Sequence, residues 1–213
     1  MKQTDDKAKS KQYFNRHSST GVNRNGYWNR DYKVTAKILT EAGVNRHIDI
    51  GCGNGAFLEY LHNIAPEIAL HGLDYSAEMV KRSRERLPIA EITEGDAEDI
   101  PLPDNTFDGV SCHMSIHHYP HPDSALSEMY RILKPGGIVL INDLTGPAWL
   151  IRLMNRSFRY WNTGDHAVYT RETMETMLRD AGFREIRSRN LTPFSYVCCG
   201  LKERRSGIPE AER

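Results

Sequence analysis

The sequence predicts an α/β fold, a doubly wound and mostly parallel sheet with helices on both faces. Three observations point there. Strand-like and helix-like segments alternate through residues 47–143, and alternation of this kind buries a parallel sheet between two helical layers. The run Ile48-Asp-Ile-Gly-Cys-Gly-Asn-Gly-Ala-Phe-Leu58 sets a short apolar strand, a triple-glycine turn and the start of an apolar helix face in immediate succession. Residues 183–191 and 194–201 alternate as an antiparallel pair does, so the sheet is expected to end in a reversed hairpin.

The elements follow in chain order. Residues 1–10 are polar and charged without periodicity and are expected to form a disordered tail. Through 11–45, Tyr13, Phe14, Tyr27, Trp28, Tyr32, Val34, Ile38 and Leu39 predict one or two helices, an N-terminal helical cap. The core, 46–145, reads as strand 47–50, helix 54–64, strand 68–73, helix 77–86 capped by Ser76, strands 90–94 and 107–112, helix 123–133 and strand 138–143. Inserted helices occupy 146–182: one over Pro147–Tyr160, and a second capped by Thr170 and stopped at Gly182. The strand pair, 183–202, closes a single domain spanning 11–213.

Composition fits a one-domain globular chain: 213 residues, 39% hydrophobic and 26% charged. Basic and acidic side chains balance at 28 each, which excludes a global field that steers a polyanion. The balance is uneven along the chain. Residues 1–46 carry ten basic and four acidic groups, 47–149 six and sixteen, and 150–213 twelve and eight, so the central lobe is acidic. Lys7, Lys9 and Lys11, and likewise Arg152, Arg156 and Arg159, read as solvated stripes. The four cysteines, Cys52, Cys112, Cys198 and Cys199, lack metal or disulfide spacing and are expected to be reduced thiols. No secretory segment and no bilayer-length apolar run stand out, so a cytoplasmic protein without a membrane span is the expectation.

The glycine turn predicts bare backbone N–H groups facing a ligand at the start of a helix. Gly51-x-Gly53-x-x-Ala56 with Asp74 downstream satisfies the looser dinucleotide fingerprint, which leaves a nicotinamide or flavin site open. Asp74 ends the second strand, where a carboxylate accepts from both hydroxyls of a ribose, and Tyr75 beside it offers a flat face to a base. Asp49, two residues before the first glycine, Gly55 as a third alternate glycine, and two further segments break the tie: Glu94-Gly-Asp96-Ala97-Glu98-Asp99-Ile-Pro101 and Arg131-Ile-Leu-Lys-Pro135-Gly136-Gly137 before the strand at 138.

With these motifs in order from about Tyr27 to Leu144, the chain resembles the class I S-adenosylmethionine-dependent methyltransferases. The closest group is the small-molecule one known as methyltransferase type 11, which includes enzymes of quinone biosynthesis. The resemblance implies their Rossmann-like fold, a seven-stranded, mostly parallel sheet ending in an antiparallel hairpin, and S-adenosyl-L-methionine as cofactor. By position, Asp49, Gly51, Cys52, Gly53, Asn54 and Gly55 would hold the methionine moiety, and Asp74 and Tyr75 the ribose and base. Asp96 and Ala97, with Met79 and Glu98 beside them, would meet the adenine, and His113 and Met114 the region of the amino group. The partner implied is a small-molecule methyl acceptor.

Methyl transfer from a sulfonium is an in-line displacement, so few residues need be chemical. The histidine-rich loop His113-Met-Ser-Ile-His117-His118-Tyr-Pro-His121 follows the fourth strand, and His117 or His118 is the candidate general base. No metal is expected: the four histidines sit on an irregular loop without ligand spacing or an evident carboxylate partner. Trp28, Tyr27 and Trp149 are candidate acceptor walls, with Tyr13, Phe158, Tyr160 and Trp161 as further aromatics. A nucleic-acid acceptor is not expected, because the chain is neutral and lacks an RNA-binding appendage, an Asn/Asp-Pro-Pro-Tyr motif or a Pro-Cys nucleophile. Three alternatives stay open: a nicotinamide-dependent oxidoreductase, a protein or peptide methyltransferase, and a nucleoside-binding relative without turnover.

Overall fold

The computed structural model describes residues 3–17, 29–158 and 164–204. At its centre lie β1 (Arg46–Ile50), β2 (Ala69–Asp74), β3 (Glu91–Glu94), β4 (Phe107–His113), β5 (Leu133–Leu144), β6 (Arg184–Thr192) and β7 (Ser195–Leu201), in the spatial order β3-β2-β1-β4-β5-β7-β6. The first five strands pair parallel, and β7 runs antiparallel between β5 and β6. Strand order reverses between β1 and β4, and the crevice outside their carboxyl ends is where such a sheet takes ligands.

Strand alternation feeds two cores. In β5, Val139 and Ile141 pack with α5 (Pro122–Ile132) and α7 (Arg171–Asp180), whereas Ile138 and Leu140 join α2 (Asn29–Glu41), α3 (Ala56–Ile64) and α4 (Ala77–Arg86) on the opposite face. Strand β1 sends Ile48 and Ile50 to the first core. Its polar residues His47 and Asp49 are fully buried on the other side, where the His47 ring meets that of Phe57. A small third cluster, Ile151, Phe158 and Val168, seats α6 (Ala148–Phe158).

Element boundaries depart from expectation at three places. The helix expected from 54 begins at Ala56, because Gly55 caps it in a left-handed conformation (φ 77°) that a helix cannot continue. Strand β5 begins at Leu133 rather than 138: Leu133 pairs with Phe107, and the register then shifts. The first residues, expected as a tail, enter a helix at Gln3 (α1, Gln3–His17), and the physical reason is tertiary. Lys7 pairs with Asp96 and Glu98, and Lys11 with Glu94, so two of the three lysines read as a solvated stripe hold α1 against the acidic lobe. Among the described residues no helix is long and apolar enough to cross a membrane.

Candidate active site

A cavity of about 200 Å³ opens at the carboxyl ends of β1, β2, β3 and β4, beneath α1. It brings together Asp49, Gly51, Cys52, Gly53, Asn54, Asp74, Tyr75, Met79, Asp96, Ala97, Glu98, His113 and Met114, every expected donor-site residue except Gly55. Gly55 lies one step behind the wall. A Cβ there would strike the Ser83 hydroxyl, so this glycine lets α3 and α4 close on each other.

The turn differs from the expected cradle of bare amides. Gly51 and Cys52 N–H donate to the Leu73 carbonyl (2.7 and 3.0 Å), Gly53 N–H donates to Asp74 Oδ2 (2.8 Å), and Gly55 N–H to the Cys52 carbonyl (3.0 Å). These amides lock the turn onto the end of β2. Glycine acts here through close approach: Gly51 has φ +73°, and a Cβ on it would run into Ser115 and lie 2.6 Å from Tyr119 Oη.

Asp74 accepts one N–H on each oxygen, from Gly53 and from Ser76 (2.8 Å each), leaving a further lone pair on both. Burial pushes its pKa up to about 6 against the pull of those two amides. Asp49 is also buried and accepts from Ser111 Oγ (2.6 Å), yet desolvation outweighs that bond and raises its pKa to about 8. The cavity therefore contains two carboxyls short of positive charge. Farther out, Asp96 accepts from Glu98 N–H (2.9 Å) and, on its other oxygen, from Lys7 Nζ (2.6 Å).

The cavity also has an aromatic lining of Phe14, Tyr32, Phe57, His113 and Tyr119. The His113 ring lies 3.9 Å, centroid to centroid, from Phe57 and edge-on to Tyr32, and burial lowers its pKa to about 3, so it is neutral. Met114 closes β4 with φ 49°, a left-handed turn on a non-glycine residue that swings the chain into the 3₁₀ turn Ile116–His118.

That turn splits the two base candidates. His118 lines the cavity, with its ring edge-on to Phe14 at 4.8 Å. His117 is buried behind it, its Nδ1 2.6 Å from Asp143 Oδ1 and its Nε2 3.7 Å from Asp165. Trp149 is 68% exposed on α6 and does not line the cavity, while Tyr27, Trp28, Tyr160 and Trp161 lie outside the described residues. Sequence reasoning did not assign Lys7, Ser10, Ser115 or Tyr119 to the site. The acidic lobe facing a basic N-terminal segment was the one signal for Lys7.

Against known proteins, residues 48–141 match a family profile described as a methyltransferase domain. Over that stretch the chain is similar to the methyltransferases of this profile. The chain is 34% identical over 137 residues to the demethylmenaquinone methyltransferase of Listeria welshimeri, covering 60% of its own length and 58% of the relative's. Thus it spans under two thirds of that protein. It is 39% identical over 114 residues to the fatty-acid O-methyltransferase of Mycolicibacterium smegmatis, covering 53% of its own length and 41% of the other. Its fold is shared by human N-acetylserotonin methyltransferase in complex with SAM, with TM-score 0.66, 22% identity, 83% of this chain and 52% of that one.

Proposed function

We propose that this protein is a methyltransferase that uses S-adenosyl-L-methionine to methylate a small lipophilic acceptor. The observation that carries the reading is that one cavity is lined by the turn at 51–54, Asp74, Asp96 and the end of β4 together with a set of aromatic side chains. Asp49 and Asp74 supply the negative charge that a sulfonium and ammonium donor lacks in a buried site. Asp74 retains lone pairs for the two ribose hydroxyls, and Met79 and Ala97 give apolar contact for a flat base.

The chain's part in the reaction is alignment and the exclusion of water, since an in-line displacement at a methyl carbon needs nucleophile and sulfur held collinear. Phe14, Tyr32, Phe57 and Tyr119 would hold an apolar acceptor. Two relatives named for fatty-acid and demethylmenaquinone methylation support a lipophilic class. Of the two histidines, we assign the contact with the acceptor to His118 and not to His117. We place the reaction in the cytoplasm, a reading supported by four free thiols.

Calorimetry separates the donor from its rival: uptake of S-adenosylmethionine and none of NAD is expected, and the reverse would return the chain to the oxidoreductase class. Transfer of labelled methyl into a lysate, split into organic-extractable and macromolecular fractions, tests the acceptor. Label in the organic fraction is expected; label confined to protein overturns the small-molecule reading.

A further inference from the structure

We infer that His117, His118 and Asp165 form a binding site for one divalent transition-metal ion of the zinc class. The sequence alone argues against a metal because it shows no carboxylate near the histidines. The fold supplies one from the loop before α7, forty-seven positions along the chain from His118. His166 and Ala167 N–H donate to the His117 carbonyl (2.7 and 3.0 Å), which pins Asp165 beside the histidine pair.

Geometry comes first. Asp165 Oδ1 lies 3.7 Å from His117 Nε2 and 3.2 Å from His118 Nδ1, and the three residues offer ligand atoms within 4.8 Å of one another. A tetrahedral zinc ion with bonds of about 2.0–2.1 Å sets neighbouring ligand atoms about 3.3 Å apart. Small rotations suffice, and His118 Nδ1 exchanges the Gly164 carbonyl, 3.1 Å away, for the ion.

The surroundings give a second, independent argument. Asp143 is 2% exposed and holds His117 Nδ1 at 2.6 Å, the outer carboxylate that fixes a ligating imidazole with its Nε2 lone pair turned to the metal. Asp143 is itself anchored by the N–H groups of His117 (3.2 Å) and Leu144 (2.6 Å). Two imidazoles and a carboxylate, with a second carboxylate behind one of the rings, are the mixed nitrogen and oxygen donor set that a cation of this class takes. Through His118 the ion adjoins the cavity, so its fourth position is available to water or to an oxygen of the acceptor.

The rival occupant is a proton on His117, shared between Asp143 and Asp165. Untagged full-length protein, freed of metal with a chelator, is titrated with Zn²⁺ by calorimetry and with Co²⁺ by visible absorption, without methyl donor. One equivalent bound, with the intense ligand-field bands of tetrahedral Co²⁺, is expected. Asp165→Asn should weaken Zn²⁺ binding at least tenfold, and Asp143→Asn, which touches no ion, by about 10–100-fold. Circular dichroism and thermal unfolding verify that both variants fold. Absence of saturable binding overturns the site, and so does binding that Asp165→Asn leaves unchanged, which marks surface histidines instead. Because no donor is present, either result stands apart from the donor assignment.

Discussion

Gly51 and Gly53 sit two residues apart with positive φ, yet they face different surroundings. At Gly51 a methyl group meets Ser115 and Tyr119, whereas at Gly53 it meets nothing within 4 Å. Both substitutions to alanine carry the left-handed backbone cost of about 1–2 kcal/mol, and Gly51→Ala adds overpacking of about 1–3 kcal/mol. Chemical denaturation should show Gly51→Ala clearly the less stable. Gly53→Ala should fold and weaken the donor, since Gly53 lines the cavity. The carboxyls give a pH prediction. Asp49 and Asp74 are raised from an ordinary 3.8 to about 8 and about 6, so in the empty protein their ionisation opposes folding. Their contribution to stability is full below about pH 4 and is lost as pH rises towards 8. A cationic donor favours the ionised forms, so its affinity should increase over the same window with release of protons. Calorimetry in buffers of different ionisation enthalpy measures this, and Asp49→Asn should remove the upper part of the dependence. Donor affinity that is flat from pH 5 to 8 would count against both roles.

At the scale of elements, legibility followed apolar pattern and punctuation. Strands β1, β2, β4 and β7 were readable because their residues alternate or run apolar between glycines, and α4 and α7 because Ser76 and Thr170 cap them through the N–H groups of Met79 and Thr173. The start of β5 was hidden, since Lys134-Pro135-Gly136-Gly137 has turn chemistry and is held in the strand by tertiary contacts, Leu133 pairing with Phe107 of β4 and Gly136 and Gly137 exchanging backbone bonds with Lys202 just past β7. Helix α1 was hidden for a related reason. It lacks an apolar stripe, and what holds it is Lys7, Lys11 and the Phe14 edge, contacts with residues about 80 to 100 positions away. Likewise Asp74 and Asp96 stood at motif positions, whereas Asp165 and Tyr119 join the site only through tertiary closure. The α1 pairs are half-exposed, and such pairs contribute about 0–1 kcal/mol each and weaken with salt. Amide exchange of residues 3–17 should therefore be much faster than that of β1, β4 and β5, and faster still at high salt. Protection of α1 equal to the sheet would show that apolar contacts, not the lysines, hold it.

For the whole molecule, the decisive feature is that one sheet edge gathers the ends of four strands from distant parts of the chain, so the cavity exists only in the folded state. A ligand that binds there and not to the unfolded chain stabilises by mass action, about 2.7 kcal/mol at a hundredfold excess over Kd. For a chain of 213 residues each kcal/mol shifts Tm by about 2–4 °C, so saturating S-adenosylmethionine should raise Tm by about 5–10 °C. NAD carries the same adenosine but joins it to a pyrophosphate. The turn's amides at 51, 52, 53 and 55 are already bonded within the protein, which leaves the pyrophosphate without the donors it needs, and NAD at the same concentration should leave Tm in place. Asp74→Ala should abolish the shift by the methyl donor while keeping the sheet, because the carboxylate is the group that ties the turn to the expected sugar position. A shift of equal size with NAD would mean that the turn can release its amides, and the assignment of this cavity to a sulfonium donor would fail with it.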